Sequence, residues 1–171
     1  MTFTALRLTV FLAAIGLFTA PSAFVLAEDA DPAALAAALK NLTATLQGGL
    51  KASEQQGTPI SAEFEIEDGK LQLSVYTMKG NDFMEVVTDP QTGAATAKEL
   101  SDAVDLKNAA EQKAAMAKAK MTLLVATEAA VKANPGFQAV SIYPQLQNGH
   151  AVAEVTLLQG TVLKKVTEKL D

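Results

Sequence analysis

The chain has 171 residues, 14 Lys plus Arg against 19 Asp plus Glu, a formal net charge of -5, one His, and neither Cys nor Trp. That length suits one modest domain or two very small ones. The acidic balance argues against a nucleic-acid partner, which needs clustered cations. The missing cysteines exclude disulfides, thiolate metal sites, a Cys nucleophile and a lipid-bearing anchor Cys. With a single His, hydrolytic triads and His-rich metal centres have little to draw on.

Residues 1–27 read as an export signal. Arg7 supplies the positive start, Leu8 to Phe18 is an uncharged apolar run, Pro21 breaks it, and Val25-Leu26-Ala27 offers a small-residue cleavage site before Glu28. The run is short for a membrane span, which needs about 20 residues. No second apolar run of that length follows, so the mature chain is expected to be soluble, without a stable membrane anchor, in a bacterial periplasm or secreted. Arg7 is also the only arginine. The mature chain therefore lacks the residue best suited to bidentate phosphate or carboxylate recognition.

Asp31-Pro32 opens a helix, with an N-cap followed by Pro at the first helical position. Leu35, Leu39, Leu42, Leu46 and Leu50 form one stripe at helical spacing, read as a single core-facing helix that Gly48-Gly49 weakens or ends. Ile60, Ala62, Phe64 and Ile66 then alternate with Ser61, Glu63, Glu65 and Glu67, a strand pattern. Asp68-Gly69 is a two-residue hairpin turn that carries the apolar face on through Leu71, Leu73 and Val75. A Gly80-Asn81 turn leads to a third strand over about Asp82 to Thr88 and sets Val75 opposite Val86.

A helix capped by Ser101 is expected to run to about Lys120, and a second, capped by Thr122, to stop at Asn134-Pro135-Gly136. Strands follow before and after an Asn148-Gly149 turn, and a last strand covers about Thr161 to Thr167. Pro144 places its strand at an edge or a bulge. The second set repeats the first at an offset of 80 residues. Glu67-Asp68-Gly69-Lys70 answers Gln147-Asn148-Gly149-His150, Gly80 answers Gly160, and Ser61, Val75 and Val86 answer Ser141, Val155 and Val166. The expected architecture is α+β: tandem helix-on-antiparallel-sheet repeats, α-βββ then αα-βββ. The expected boundaries are 28–98 and 99–171.

The run Glu85-Val86-Val87-Thr88-Asp89-Pro90-Gln91-Thr92-Gly93-Ala94 resembles the end of a PepSY domain, where a strand leads into an Asp-x-x-Thr-Gly turn. Ala62 to Glu65, Asp68-Gly69-Lys70 and Val75-Tyr76 look like that family's central hairpin. Thr122 to Ala130, Asn134-Pro135-Gly136 and Asn148-Gly149 resemble its front half again. The chain ends at Asp171, where a second Asp-x-x-Thr-Gly turn would start. The resemblance implies helices packed on an antiparallel sheet and a role in inhibiting or modulating peptidases. The tandem form is similar in architecture to the beta-lactamase inhibitory protein. No catalytic residue carries over. From the residues alone, Asp89 and Gly93 read as turn chemistry, like Asp68, Gly69, Asn148 and Gly149.

The sheet face opposite the helices is the candidate interaction surface. It is expected to present Ser61, Glu63, Glu65, Ser74, Tyr76 and Met78 from the first unit, with Ser141, Tyr143, Gln145, Glu154 and Thr156 from the second. Tyr76, Met78, Tyr143, Glu63, Glu65 and Glu154 are the partner-binding candidates, since Tyr and Met on a polar face suit an interface. Phe83, Leu158 and Leu163 add apolar area there. Glu63, Glu65 and Glu67 are otherwise a solvated strand face without the loop of a tight cation site. Asp102, Asp105 and Glu111 read as helix surface charge, and His150 as a solvated turn residue. The expectation is a non-enzymatic exported protein with no metal or cofactor, binding a peptidase or other envelope protein. The alternative is a small-ligand or metal-responsive periplasmic module.

Overall fold

The computed structural model describes residues 31–171. The export signal expected over residues 1–27 lies outside them. Two short helices, α1 (Pro32–Leu39) and α2 (Leu46–Ser53), precede four strands, β1 (Thr58–Glu67), β2 (Lys70–Lys79), β3 (Asp82–Thr88) and β4 (Ala95–Glu99). Helices α3 (Ala103–Met116) and α4 (Leu123–Ala133) follow, then β5 (Gln138–Gln147), β6 (His150–Gln159) and β7 (Val162–Lys169). All seven strands form one antiparallel sheet in the order β4-β3-β2-β1-β5-β6-β7. The fold is α+β, and the two βββ units meet at β1 and β5.

The hairpin registers follow the apolar alternation. Phe64 faces Leu73 and Ile66 faces Leu71 around Asp68-Gly69, and Val75 faces Val86 around Gly80-Asn81. Asp68 and Gly69 have φ of 50° and 74°, and Asn148 and Gly149 have 53° and 83°. Two successive positive φ angles match the right-handed twist of the strands they join. The units join through only two ladder pairs, Ala62↔Ile142 and Glu63↔Ser141. Ala62 thus pairs with its own counterpart at the offset of 80, so a pseudo-twofold axis passes between them. Both units also bulge at the matching point, between Pro59 and Ser61 and between Ala139 and Ser141.

One face of the sheet is covered by α1, α2 and α4. Leu35, Leu46, Leu50 and Leu123 pack there on Phe64, Leu73, Val75, Ile142 and Val155 in one core spanning both units. Fully burying each such side chain contributes roughly 1.5–3 kcal/mol, so the shared core supplies stability that neither small unit would have alone.

Several expectations need correction. The Leu stripe is two helices: α1 ends before Asn41, which has φ of 68°, and α2 restarts at Thr45, whose hydroxyl accepts from the Gly48 N–H. Gly48 and Gly49 lie inside α2 because a side chain at Gly49 would come within 2.3 Å of the Leu73 side chain. The first unit has a fourth strand, β4, so its pattern is αα-ββββ. The strand that carries Pro144, β5, is interior rather than at an edge, and it is bulged, the other of the two expected alternatives. With Gln147↔His150 closing the two-residue turn, alternation leaves the Pro144 nitrogen facing β1, beyond the last β1–β5 pair, where no donor is needed. Finally, the bulge turns Ile60 off the Ala62 face, into a second cluster with Tyr76, Met78, Phe83, Leu100 and Ala109.

Candidate functional site

That second cluster exists because α3 crosses the other face of the sheet, the face expected to be open. Asp102 caps α3, accepting from the N–H groups of Val104 and Asp105 at 2.8 and 3.3 Å. Ser101, the expected cap, stands one residue earlier, and the helix stops at Met116 rather than near Lys120. Lys113 donates to the Gly80 carbonyl at 2.7 Å and to Asn81 at 2.9 Å, and Lys118 to the Gly149 carbonyl at 3.0 Å. Those turns lie at the same end of the sheet, so α3 is tied to both units. Its buried contacts are the small Ala109 and Ala115, which let the helix sit close to the strands.

Between α3 and the sheet, beside the point where β5 leaves β1, lies a cleft of about 640 Å³. Glu63, Ser141, Tyr143, Glu154 and Thr156 line it from the sheet, with Tyr76, and Asp105, Glu111 and Gln112 line it from α3. Leu146 is 42% exposed and also lines it. Four carboxylates line the cleft and no lysine does.

Glu63 is 2% exposed, so it is not the solvated residue that strand alternation suggested. Burial first, then the Glu63 charge, hold the Tyr143 hydroxyl far above its usual range. Burial, then Glu85, do the same for Tyr76. Both phenols therefore stay neutral. Burial also raises the Asp105 carboxyl, with Asp102 adding to the effect. The Ser141 hydroxyl is buried without a hydrogen-bond partner, as is Oδ1 of Asp105. Ser61, the counterpart of Ser141, instead donates to Gln112 Oε1 at 3.0 Å.

The acidic face continues past the cleft. Gln72 donates to Glu65 at 2.8 Å and to Glu67 at 2.9 Å, while Ser74 Oγ lies between two carboxylates, 2.7 Å from Glu65 and 3.2 Å from Glu85, with one proton to donate. Burial raises the Glu85 carboxyl, with the Ser74 hydrogen bond opposing it. Lys165 meets Glu154 at 3.2 Å.

The structure gathers Glu63, Tyr76, Tyr143 and Glu154 in the cleft, and leaves Glu65 beyond it on the same face. Met78 packs in the second cluster with Phe83 instead, whereas Leu158 and Leu163 belong with the main core. Asp105 and Glu111 also line the cleft, and sequence reasoning placed them on the helix surface. The signal available was the run of small residues on α3, which suits a helix lying flat on a sheet.

Elsewhere, His150 Nδ1 lies 2.7 Å from Asp171 and is exposed. Asp89 Oδ1 accepts from the N–H groups of Gln91 and Thr92, and Gly93 has φ of 74°. Those backbone N–H groups hold the Asp89 carboxyl below its usual range. Among the described residues, no group of three or more His, Asp or Glu is placed to hold a metal ion. No described helix is long and apolar enough to cross a membrane.

Residues 33–99 match the PepSY family, described as peptidase propeptide and YPEB domain. The match takes in α1, α2 and β1 to β4. Residues 33–99 are a PepSY domain. The family's description fits a peptidase-propeptide-like, non-catalytic module. No curated protein matches the chain. The crystal structure of a candidate lipoprotein from Clostridium difficile 630 aligns over 75% of this chain and 96% of that one, at 17% identity and a TM-score of 0.37. That likeness is too slight to carry a functional comparison.

Proposed function

We propose that this is an exported, non-enzymatic binding protein that inhibits or modulates a peptidase or another envelope protein. It works through the sheet face that α3 crosses. A PepSY-like unit over 28–98 and its counterpart over 99–171 act as one rigid body, because they share a sheet and a core. Tyr76, Tyr143, Glu63 and Glu154 contribute from the cleft, Glu65 from the face beyond it, and Met78 by supporting α3. The observation that carries this reading is the cleft itself. It joins two aromatic rings and four carboxylates between a PepSY domain and the following unit. Mixed aromatic and charged linings of this kind suit the anchoring of a partner's side chains.

The test places a photo-crosslinker at Glu111, on the cleft, and separately at Glu128, exposed on α4, in the full chain within its native cells. A covalent adduct with an envelope peptidase or other envelope protein from Glu111, and none from Glu128, supports the reading. No adduct from Glu111, or the same adducts from both positions, refutes it.

A further inference from the structure

The sheet ends at β4 on one side and at β7 on the other, and no described strand lies beyond either. The β4 edge is short, at five residues. The β7 edge runs for eight, Val162–Lys169, and pairs with β6 in one unbroken register, with neither a bulge nor a proline to blunt it. The Leu170 N–H donates to the Ala151 carbonyl at 2.9 Å, so the even-numbered residues of β7 hydrogen-bond to β6. Alternation then turns the backbone N–H and C=O groups of Leu163, Lys165, Thr167 and Lys169 outward, away from the sheet.

We propose that β7 pairs antiparallel with β7 of a second copy of this chain, about a twofold axis beside Val166, so that two molecules share one continuous sheet. This goes beyond the binding role above and does not rest on it. Lysines along an edge deter an arbitrary strand, and β7 carries Lys164, Lys165 and Lys169. A twofold at Val166 supplies the strand that suits them. Lys164 and Glu168 stand two residues to either side of Val166, so the axis sets each Lys164 opposite the Glu168 of the other copy. The same register sets Val166 opposite Val166, Lys165 opposite Thr167 and Leu163 opposite Lys169, with no like charges face to face. Sliding the pair by two residues, the smallest step that keeps the outward groups matched, sets Lys165 opposite Lys165 in one direction and opposite Lys169 in the other. Within the chain Lys164 donates to a neutral amide, Asn134 Oδ1, at 2.6 Å, so an acid across the axis adds an ion pair without replacing one. An axis of this kind runs perpendicular to the sheet, and the clefts beside α3 in the two copies then open on the same face.

Sedimentation of the full chain at rising concentration is expected to show a reversible monomer–dimer equilibrium. Lys164→Glu sets acid against acid at two places and is expected to weaken the dimer about tenfold, and Lys164→Glu with Glu168→Lys to restore it. The chain has no cysteine, so Val166→Cys reports the register. Val166 and its copy form a non-hydrogen-bonded pair, with Cα atoms about 4.5 Å apart and within disulfide reach. Under mild oxidation Val166→Cys is expected to link into dimers about tenfold or more faster than Val162→Cys, an exposed position that this register holds about 27 Å from its copy. A chain that stays monomeric, equal linking at the two positions, or a double variant no better than Lys164→Glu overturns the proposal. The charge-swap series decides by itself should Val166→Cys lose its fold. A photo-crosslinker at Thr167 in native cells that captures other proteins and no second copy assigns the edge to a different occupant and also overturns it.

Discussion

Ser61 and Ser141 occupy the same place in the two units, yet truncating them is expected to shift stability in opposite directions. Each is essentially inaccessible, at 0% and 1% exposure. Ser61 donates to Gln112 at 3.0 Å, and Ser141 has no partner. Ser61→Ala deletes one hydrogen bond and strands a half-buried amide oxygen, a loss of about 1 kcal/mol. Ser141→Ala removes a desolvated, unpaired hydroxyl. Relief of about 1–3 kcal/mol is offset in part by the small void it leaves, for a net gain of about 1 kcal/mol. The two variants should therefore differ by about 2 kcal/mol. Unfolding entropy near 2.1 cal/mol/K per residue makes 1 kcal/mol worth about 3 °C in a chain of this size, so their midpoints should lie about 6 °C apart. Urea and thermal melts of the two variants beside the parent chain measure this. Ser141→Ala losing more than about 1 kcal/mol, or both variants moving in the same direction, would refute the reasoning.

Gly49→Ala gains about 1 kcal/mol in helix propensity but sets a methyl within 2.3 Å of the buried Leu73 side chain, so urea melts should show a net loss of about 1 kcal/mol. Asp102→Ala removes the α3 cap and should cost about 1 kcal/mol, with faster amide exchange in the first turn of α3 as the readout. Glu85→Gln tests the sign of a raised carboxyl. Because the folded-state value lies above the unfolded one, ionisation of Glu85 opposes folding, and that penalty sets in as pH rises from the usual glutamate range through the raised value. The variant should thus match the parent in stability below the usual range and exceed it at neutral pH. A constant difference across that window would show that charge is not the cause.

The strands, their turns and the repeat were legible in the sequence because each depends on neighbours along the chain. Alternation with period two, Asp68-Gly69 and Asn148-Gly149 at matching places, and the Val75–Val86 register are all local. Glu63, Tyr76 and Tyr143 line one cleft on a single face of the sheet. What lay across that side was not legible. Helix α3 buries Ala109 and Ala115 and leaves Val104 and Leu106 exposed, so its apolar stripe is faint and gives no direction. The split of the Leu stripe was missed because Leu35, Leu39, Leu46 and Leu50 keep helical spacing across the break and are buried on both sides of it.

The sequence by itself determined two three-stranded meanders, their apolar faces and the turns between strands, since side-chain period and positive φ are properties of adjacent residues. Only the tertiary structure decided that Ala62 would meet Ile142 to make one sheet, that a bulge would turn Ile60 to the far face, and that α3 would roof an acidic cleft there. Those outcomes depend on surfaces brought together from distant parts of the chain, where shape and burial outweigh any local pattern.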